Sequence, residues 1–305
     1  MITILTEPSS KWYFIIFKFV KNLVKKYIFK KEILKYSGHY AVVRSLLEGF
    51  DEIGHPYNYN PKLTADFASH VHVLASINAL KLAIKLKKRG KIKRLTAGPN
   101  IVVSSSDFNG IIADVNIDFY LVNSEWTKQA YLIDNPKLIN RINYFASGVD
   151  TFIWDIRRKK IDKLRLLFYN KKVKPQLIDE CAAISKKYNA IVDFIYYGSY
   201  NTNQFKEKLS KSDFVVYFSP NESQGIAIFE TWASDTPTIH WDTGYWNYNL
   251  KNYKSSSAPY LSNQTGQKFI DTIEFEALFT NNLMRSELYS PRKWILENEI
   301  GRAHV

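Results

Sequence analysis

"DFVVYFSPNESQGIAIFETWASDTPTIHW", residues 213–241, joins three kinds of segment. Residues 213–219 are a β-branched and aromatic run of strand length. "PNESQG" is a polar turn, and "GIAIFETWAS" carries apolar residues at helical spacing. Pro237 stops that helix, and "TPTIHW" reads as the next strand. Strand, helix and strand in this order make parallel pairing. The turn therefore sits at the carboxyl end of a strand and the amino end of a helix, where open parallel sheets bind ligands and helix amides favour anions.

Two glutamates stand eight positions apart in this unit, Glu222 in the turn and Glu230 inside the apolar helix. A carboxylate among Ile226, Ile228, Phe229 and Trp232 requires either solvent or a specific partner. Gly225 has no side chain, so a phosphate can approach the backbone N–H groups of Ser223, Gln224 and Gly225. Two carboxylates aimed at one place can accept several hydroxyls. A phosphate at the helix end with hydroxyls on two glutamates describes a sugar nucleotide. A surface glutamate on an amphipathic helix is the alternative for Glu230.

The same alternation runs along the chain. Strands are expected at 1–7, 70–76, within 92–100, at 117–124, 142–150, 163–170 and 190–198. Helices are expected from Gly38, at 77–90, from Glu125 and at 175–188. Residues 247–264, rich in Asn, Ser and Tyr, read as a loop, and the tail after 266 as helix broken before Pro291. The pattern restarts after "GVDTFIWDIRRKK". This gives a first domain over 1–155, a second over 156–290, and a C-terminal helix over 291–305 that returns to the first domain. His70 and His72 share a strand face and read as packing or surface residues, since no Cys/His cluster has zinc-site spacing.

With 305 residues and 46% hydrophobic content, the chain can bury a substantial core and suits two domains. Its single cysteine, Cys181, forms no internal disulfide and fits a reducing compartment. A net charge of +13 favours an anionic partner without choosing between nucleotide, nucleic acid and acidic lipid. Zinc fingers, RNA-recognition patterns and a helix-turn-helix are absent from the sequence, which argues against nucleic acid as partner. The opening "MITILTEPSS" lacks signal-peptide features, and "WYFIIF" (12–17) is far shorter than the ~20 residues of a spanning helix. A cytoplasmic protein is expected. In residues 11–31, apolar Phe17, Val20, Val24 and Tyr27 alternate with Lys18, Lys21, Lys25 and Lys26. That segment fits either an ordinary first-domain helix or peripheral contact with an anionic membrane.

"SPNESQGIAIFETWASDTPTI" resembles the donor-binding signature of retaining glycosyltransferases of GT-B fold, family-4-like (glycosyltransferase group 1). The matching positions are Ser219, Glu222, Gly225, Glu230, Ala233 and Pro237. "LVNSEWTKQAYL" (121–132) and "ASGVDTFIW" (146–154) are similar to segments that close that family's first domain. "SGHYAVVRSLLEGF" (37–50) is similar to its first glycine-rich loop and helix, and "AGPNIVV" (97–103) to one branch. The resemblance covers roughly residues 37–240.

The resemblance implies an α/β protein of two Rossmann-like domains with parallel sheets facing across a cleft. It implies transfer of a hexose from a UDP- or GDP-linked donor to a glycan or lipid-linked acceptor. Glu222 would hold the transferred sugar, Glu230 the ribose, and the Ser223–Gly225 amides the diphosphate. Where the family carries Arg and Lys after the second domain's first strand, "FYNKKVK" (168–174) offers Lys171 and Lys174. Gly38, in a first loop reading Ser37–Gly38 instead of paired glycines, would face the phosphates. Asn100 stands where many relatives carry His, and Ser124 and Glu125 are either ligand contacts or helix caps. The chain holds no Asp-x-Asp motif, so neither metal nor cofactor is expected. A sugar-nucleotide epimerase or phosphorylase of the same fold, and a basic nucleic-acid-binding protein, are the competing readings.

Overall fold

The computed structural model describes residues 1–7, 38–156 and 163–298. The expected membrane-contact segment 11–31, Ser37 and the end of the chain from 299 lie outside the described residues.

Two compact units divide between Phe145 and Ala146. In the first, six parallel strands lie in the order β2 (Tyr57–Tyr59), β1 (Ile2–Leu5), β3 (His70–Val73), β4 (Arg94–Ala97), β5 (Phe119–Val122) and β6 (Ile142–Tyr144). Parallel neighbours need crossovers, which the helices Ile77–Lys88 and Glu125–Asp134 supply. Ser76 opens the first of these helices by accepting from the Ala79 N–H, and Lys85, Lys87 and Lys88 crowd its C-terminal turn, where the helix dipole favours cations. The strands bury Val71, Val73, Leu95, Ala97, Tyr120 and Val122 against the helices. His72 is buried with its Nδ1 2.9 Å from the Thr96 hydroxyl, and His70 Nε2 reaches the same hydroxyl at 3.0 Å. Both are packing residues.

In the second unit, five parallel strands run in the order β13 (Gly266–Phe269), β10 (Thr238–Trp241), β9 (Phe214–Phe218), β7 (Arg165–Asn170) and β8 (Ile191–Tyr196). Alternate residues of β7 and β9 serve opposite faces. Leu166, Phe168, Phe214, Val216 and Phe218 pack with Ile178, Cys181, Phe269 and Phe275 on one side. Leu167, Tyr169, Val215 and Tyr217 pack with Phe205, Ile228, Phe229 and Trp232 on the other. Val149 and Trp154 belong to this second cluster, so the "GVDTFIW" segment folds with the second unit. The last helix, Pro291–Glu297, also packs there, with Trp294 edge-on to Trp232 at 5.2 Å.

Two expectations need correction. The stretch 247–264, read as loop, opens inside an antiparallel hairpin of β11 (Tyr245–Tyr248) and β12 (Lys251–Lys254). The tail is not wholly helical, because Gly266–Phe269 adds an edge strand beside β10 before the helix Thr272–Thr280. Gly266 (φ +155) lies so close to the Thr238 carbonyl that a Cβ there would overlap it.

Candidate active site

The register of β7 and β9 builds the site. Asn170 pairs with Phe218, and the Lys171 N–H donates to the Phe218 carbonyl at 2.8 Å. Lys171 and Ser219 therefore leave adjacent strands at the same height, and the turn after Ser219 brings Glu222 back over them. Lys171 Nζ donates to both Glu222 oxygens at 2.8 Å. Ser219 Oγ donates to Glu222 Oε1 at 2.9 Å, and the Glu222 N–H is held by the Ser256 carbonyl at 2.9 Å. Lys171 Nζ also lies 4.9 Å above the Tyr197 ring, a cation–π contact that fixes the ammonium from a second side. Glu222 is 13% exposed and Lys171 27%, so the pair is half-sheltered and still open to a ligand.

Gly225 begins the helix Ile226–Ala233 in a left-handed conformation, φ +84. A Cβ at this position would meet Ile228 Cδ1 at 2.5 Å, so both conformation and space call for glycine. Among the described residues, the backbone N–H groups of Ser223, Gln224, Gly225, Ile226 and Ala227 have no protein acceptor. Five successive orphan donors at a helix start form a nest for an anion. Beneath them the buried Gln224 amide clamps one residue by both its groups, as Oε1 accepts from Ser147 N at 2.8 Å and Nε2 donates to Ser147 O at 2.7 Å.

Within the helix Ile226–Ala233, Ile228, Phe229, Thr231, Trp232 and Ala233 are buried. Ile226, Ala227 and Glu230 share the half-exposed strip. Glu230 is therefore neither a core carboxylate nor a fully solvated one. Tyr200 and Tyr217 lie within the electrostatic reach of both Glu230 and Glu222. Burial pushes the Tyr200 phenol well up, and the two carboxylates push it the same way. Tyr200 OH is 2.9 Å from Tyr169 OH, while Tyr217 OH donates to the Ala227 carbonyl at 2.8 Å and sits 2.7 Å from Thr231 Oγ1. The Tyr200 and Tyr217 phenols thus stay protonated within electrostatic reach of the two glutamates.

Lys171, Ser223, Gln224, Gly225, Glu222 and Glu230 all belong to this one end of the second sheet. Lys174 stands exposed at the start of the helix Pro175–Lys187 and makes no ion pair among the described residues. Gly38 opens the helix Gly38–Glu52 of the first unit. In that unit the Ser124 hydroxyl pairs with Thr127 Oγ1 at 2.8 Å, while Glu125 is exposed. Asn100 is half-buried beyond β4, in a left-handed conformation (φ +65). Tyr197, Tyr200, Gln224's side chain and the Ser256 carbonyl have no sequence reading. Tyr197 and Tyr200 follow β8, and the pairing of β8 with β7, invisible in the linear order, brings Tyr197 to Lys171 and Tyr200 to Tyr169. Among the described residues no three His, Cys, Asp or Glu side chains gather to hold a metal ion.

No family model matches this sequence, and no curated protein matches it. Solved structures do. Sucrose-phosphate synthase from Thermosynechococcus elongatus is similar at 12% identity and TM-score 0.51, over 76% of this chain and 70% of that one. The apo form of the lipopolysaccharide outer core galactosyltransferase WaaB is similar at 14% identity and TM-score 0.50, over 83% and 74%. The chain spans about half the length of two others it matches, 50% of an accessory secretory protein chain from Streptococcus pneumoniae and 53% of TarM. At such identities the likeness is one of fold. The fold is GT-B, an α/β architecture of two Rossmann-like units each built on a parallel sheet.

Proposed function

We propose that the protein is a glycosyltransferase of the retaining, family-4-like (group 1) type, moving a hexose from a UDP- or GDP-linked donor to a hydroxyl of a glycan or lipid-linked acceptor. The observation that carries this reading is the convergence of the Lys171–Glu222 pair, the five open amides of 223–227 and Glu230 at one strand-and-helix end. Lys171 and the amides supply positive charge to a diphosphate, with Lys174 adding a second cation from the neighbouring helix start. Glu222 would accept from hydroxyls of the sugar, and Glu230 from the ribose.

In the reaction, the bond from the sugar's anomeric carbon to the phosphate oxygen breaks, and the acceptor oxygen bonds to the same face. The acceptor's proton passes to the departing phosphate oxygen, and the nucleoside diphosphate leaves. Lys171 and the helix amides stabilise the charge that develops on that phosphate. The proposed enzyme needs no metal and no cofactor, and works at the cytoplasmic side. Among the described residues no helix is long and apolar enough to cross a membrane.

Product analysis with a labelled donor tests the reading, run with and without EDTA. A new glycoside with the donor's anomeric configuration, formed equally in EDTA, is the expected result. A rearranged nucleotide sugar would instead identify an epimerase, and a sugar phosphate a phosphorylase.

A further inference from the structure

The hairpin β11–β12 belongs to neither large sheet. A lone two-stranded ribbon is marginal in water, so its stability comes from its root and its own side chains. Trp246 stacks on Tyr248 at 5.1 Å and packs against Tyr253 at 5.2 Å, on one face. At the base, the Ser255 N–H donates to the Gly244 carbonyl, and Asp242 accepts from Gly244 N, Ser256 Oγ and Ser257 N. The projection is firmly rooted.

Its tip is built against ordinary preference. The two turn residues, Asn249 (φ +48) and Leu250 (φ +63), are both left-handed, the geometry that Asn-Gly satisfies best. A leucine there is disfavoured by its Cβ. Its side chain is fully exposed, with a relative exposure of 109%, so it touches nothing that repays the conformation. Lys251 is exposed beside it, while Lys254 and the facing Tyr245, 57% exposed, stand at the root of the hairpin. From residue 243 to residue 270 the sequence holds three lysines and no acid.

We propose that this hairpin docks on an anionic lipid bilayer. Leu250 enters the acyl boundary, Lys251 beside it meets lipid phosphates, and Lys254 with Tyr245 at the root faces the outer headgroup layer. An apolar apex, a lysine beside it, and a phenol with a second lysine at the root suit the chemistry of an anionic membrane interface. A protein partner would be served by an apolar face, whereas this hairpin ends in one apolar point beside Lys251 and carries no acid along its length. The root is continuous with the site already described, since Ser256, two residues after the hairpin, holds the Glu222 N–H. Docking would thus set the donor turn close to the membrane surface.

The test uses the full chain and vesicles of phosphatidylglycerol with phosphatidylcholine, against phosphatidylcholine alone. Leu250→Gly suits the turn's conformation, so folding persists while the apolar apex is lost. Co-sedimentation with the anionic vesicles is expected to fall roughly tenfold, and further with Lys251→Glu and Lys254→Glu. In a second measurement, Leu250→Cys carries an environment-sensitive dye, which labels selectively because Cys181 is buried. Its emission is expected to shift to the blue on anionic vesicles only. That readout separates the hairpin from any attachment through residues 11–31. Undiminished vesicle binding by Leu250→Gly, or dye emission indifferent to vesicles, would overturn the proposal. So would hairpin-dependent binding of a soluble oligosaccharide in place of vesicles. No donor enters the assay, so its failure leaves the transferase reading untouched.

Discussion

Lys171 Nζ donates to both oxygens of Glu222 across 51 residues of sequence, and the same carboxylate also accepts from Ser219. A charged hydrogen bond of this kind contributes about 1.5–3 kcal/mol. Glu222→Gln keeps the shape and loses the charge, so the protein should remain folded while transfer falls roughly 10- to 100-fold. Lys171→Met should lose at least as much, since it removes the diphosphate's cation as well. If the two act as one unit, the double variant will be little worse than the poorer single one. Additive losses would separate their roles.

Gly225→Ala meets two obstacles, the left-handed φ of +84 and Ile228 Cδ1 at 2.5 Å from the new methyl. The conformational cost alone is about 1–2 kcal/mol. The helix start should shift and the amide nest open out of shape. We expect a lower melting temperature and weaker nucleoside diphosphate binding by calorimetry, with unchanged affinity counting against the nest.

The Gln224 side chain takes no part in the expected ligand contacts, which fall to its backbone N–H, because both groups of its amide are spent on Ser147. Gln224→Ala strands a buried N–H and a buried carbonyl, each costing about 1–3 kcal/mol. Gln224→Glu leaves the Ser147 carbonyl without its donor. Both should lower the melting temperature, and Gln224→Ala the more. A melting temperature equal to wild type would show that Ser147 finds other partners.

Two buried histidines make the protein sensitive to mild acid. Burial holds His72 down to about 4 and His240 to about 3, against an ordinary 6.5. Below about pH 6.5 the unfolded chain takes up protons that the folded chain refuses. The stability tied to each neutral ring is whole above 6.5 and is lost as pH falls toward the folded value. The slope is about 1.4 kcal/mol per pH unit for each histidine. Thermal melting from about pH 7.5 to about pH 5 should show a marked drop, and His240→Asn should flatten its slope by about half. A flat profile in the wild type would contradict the burial argument.

Much of this was legible in the sequence, and the misses have physical causes. The strands and helices from 70 to 241 follow their apolar periodicity closely because each is amphipathic or wholly buried. Most of the hairpin fell within the stretch 247–264 read as loop, because Asn and Lys occupy its outward face and aromatic pairing across strands holds it. β13 shows only Phe269 as a strongly buried apolar side chain, too short a signal beside a helical tail. Lys171 was named only through the family resemblance, whereas the glutamate pair and Gly225 were visible because they sit in one local strand–turn–helix unit. Tyr197, Tyr200 and the Gln224 clamp were not, since each depends on contacts between segments that only the folded sheet brings together.

The most direct measurement is a thermal-shift screen of UDP- and GDP-sugars against wild type, Lys171→Met and Glu230→Ala. A ligand that binds only the folded state stabilises it by about 2.7 kcal/mol at a hundred times its Kd. The account predicts that at least one donor raises the wild-type melting temperature, and that both variants lose most of that rise while melting normally on their own. Donor-induced shifts equal in wild type and both variants would contradict it, as would a panel of nucleotide sugars that moves none of the three.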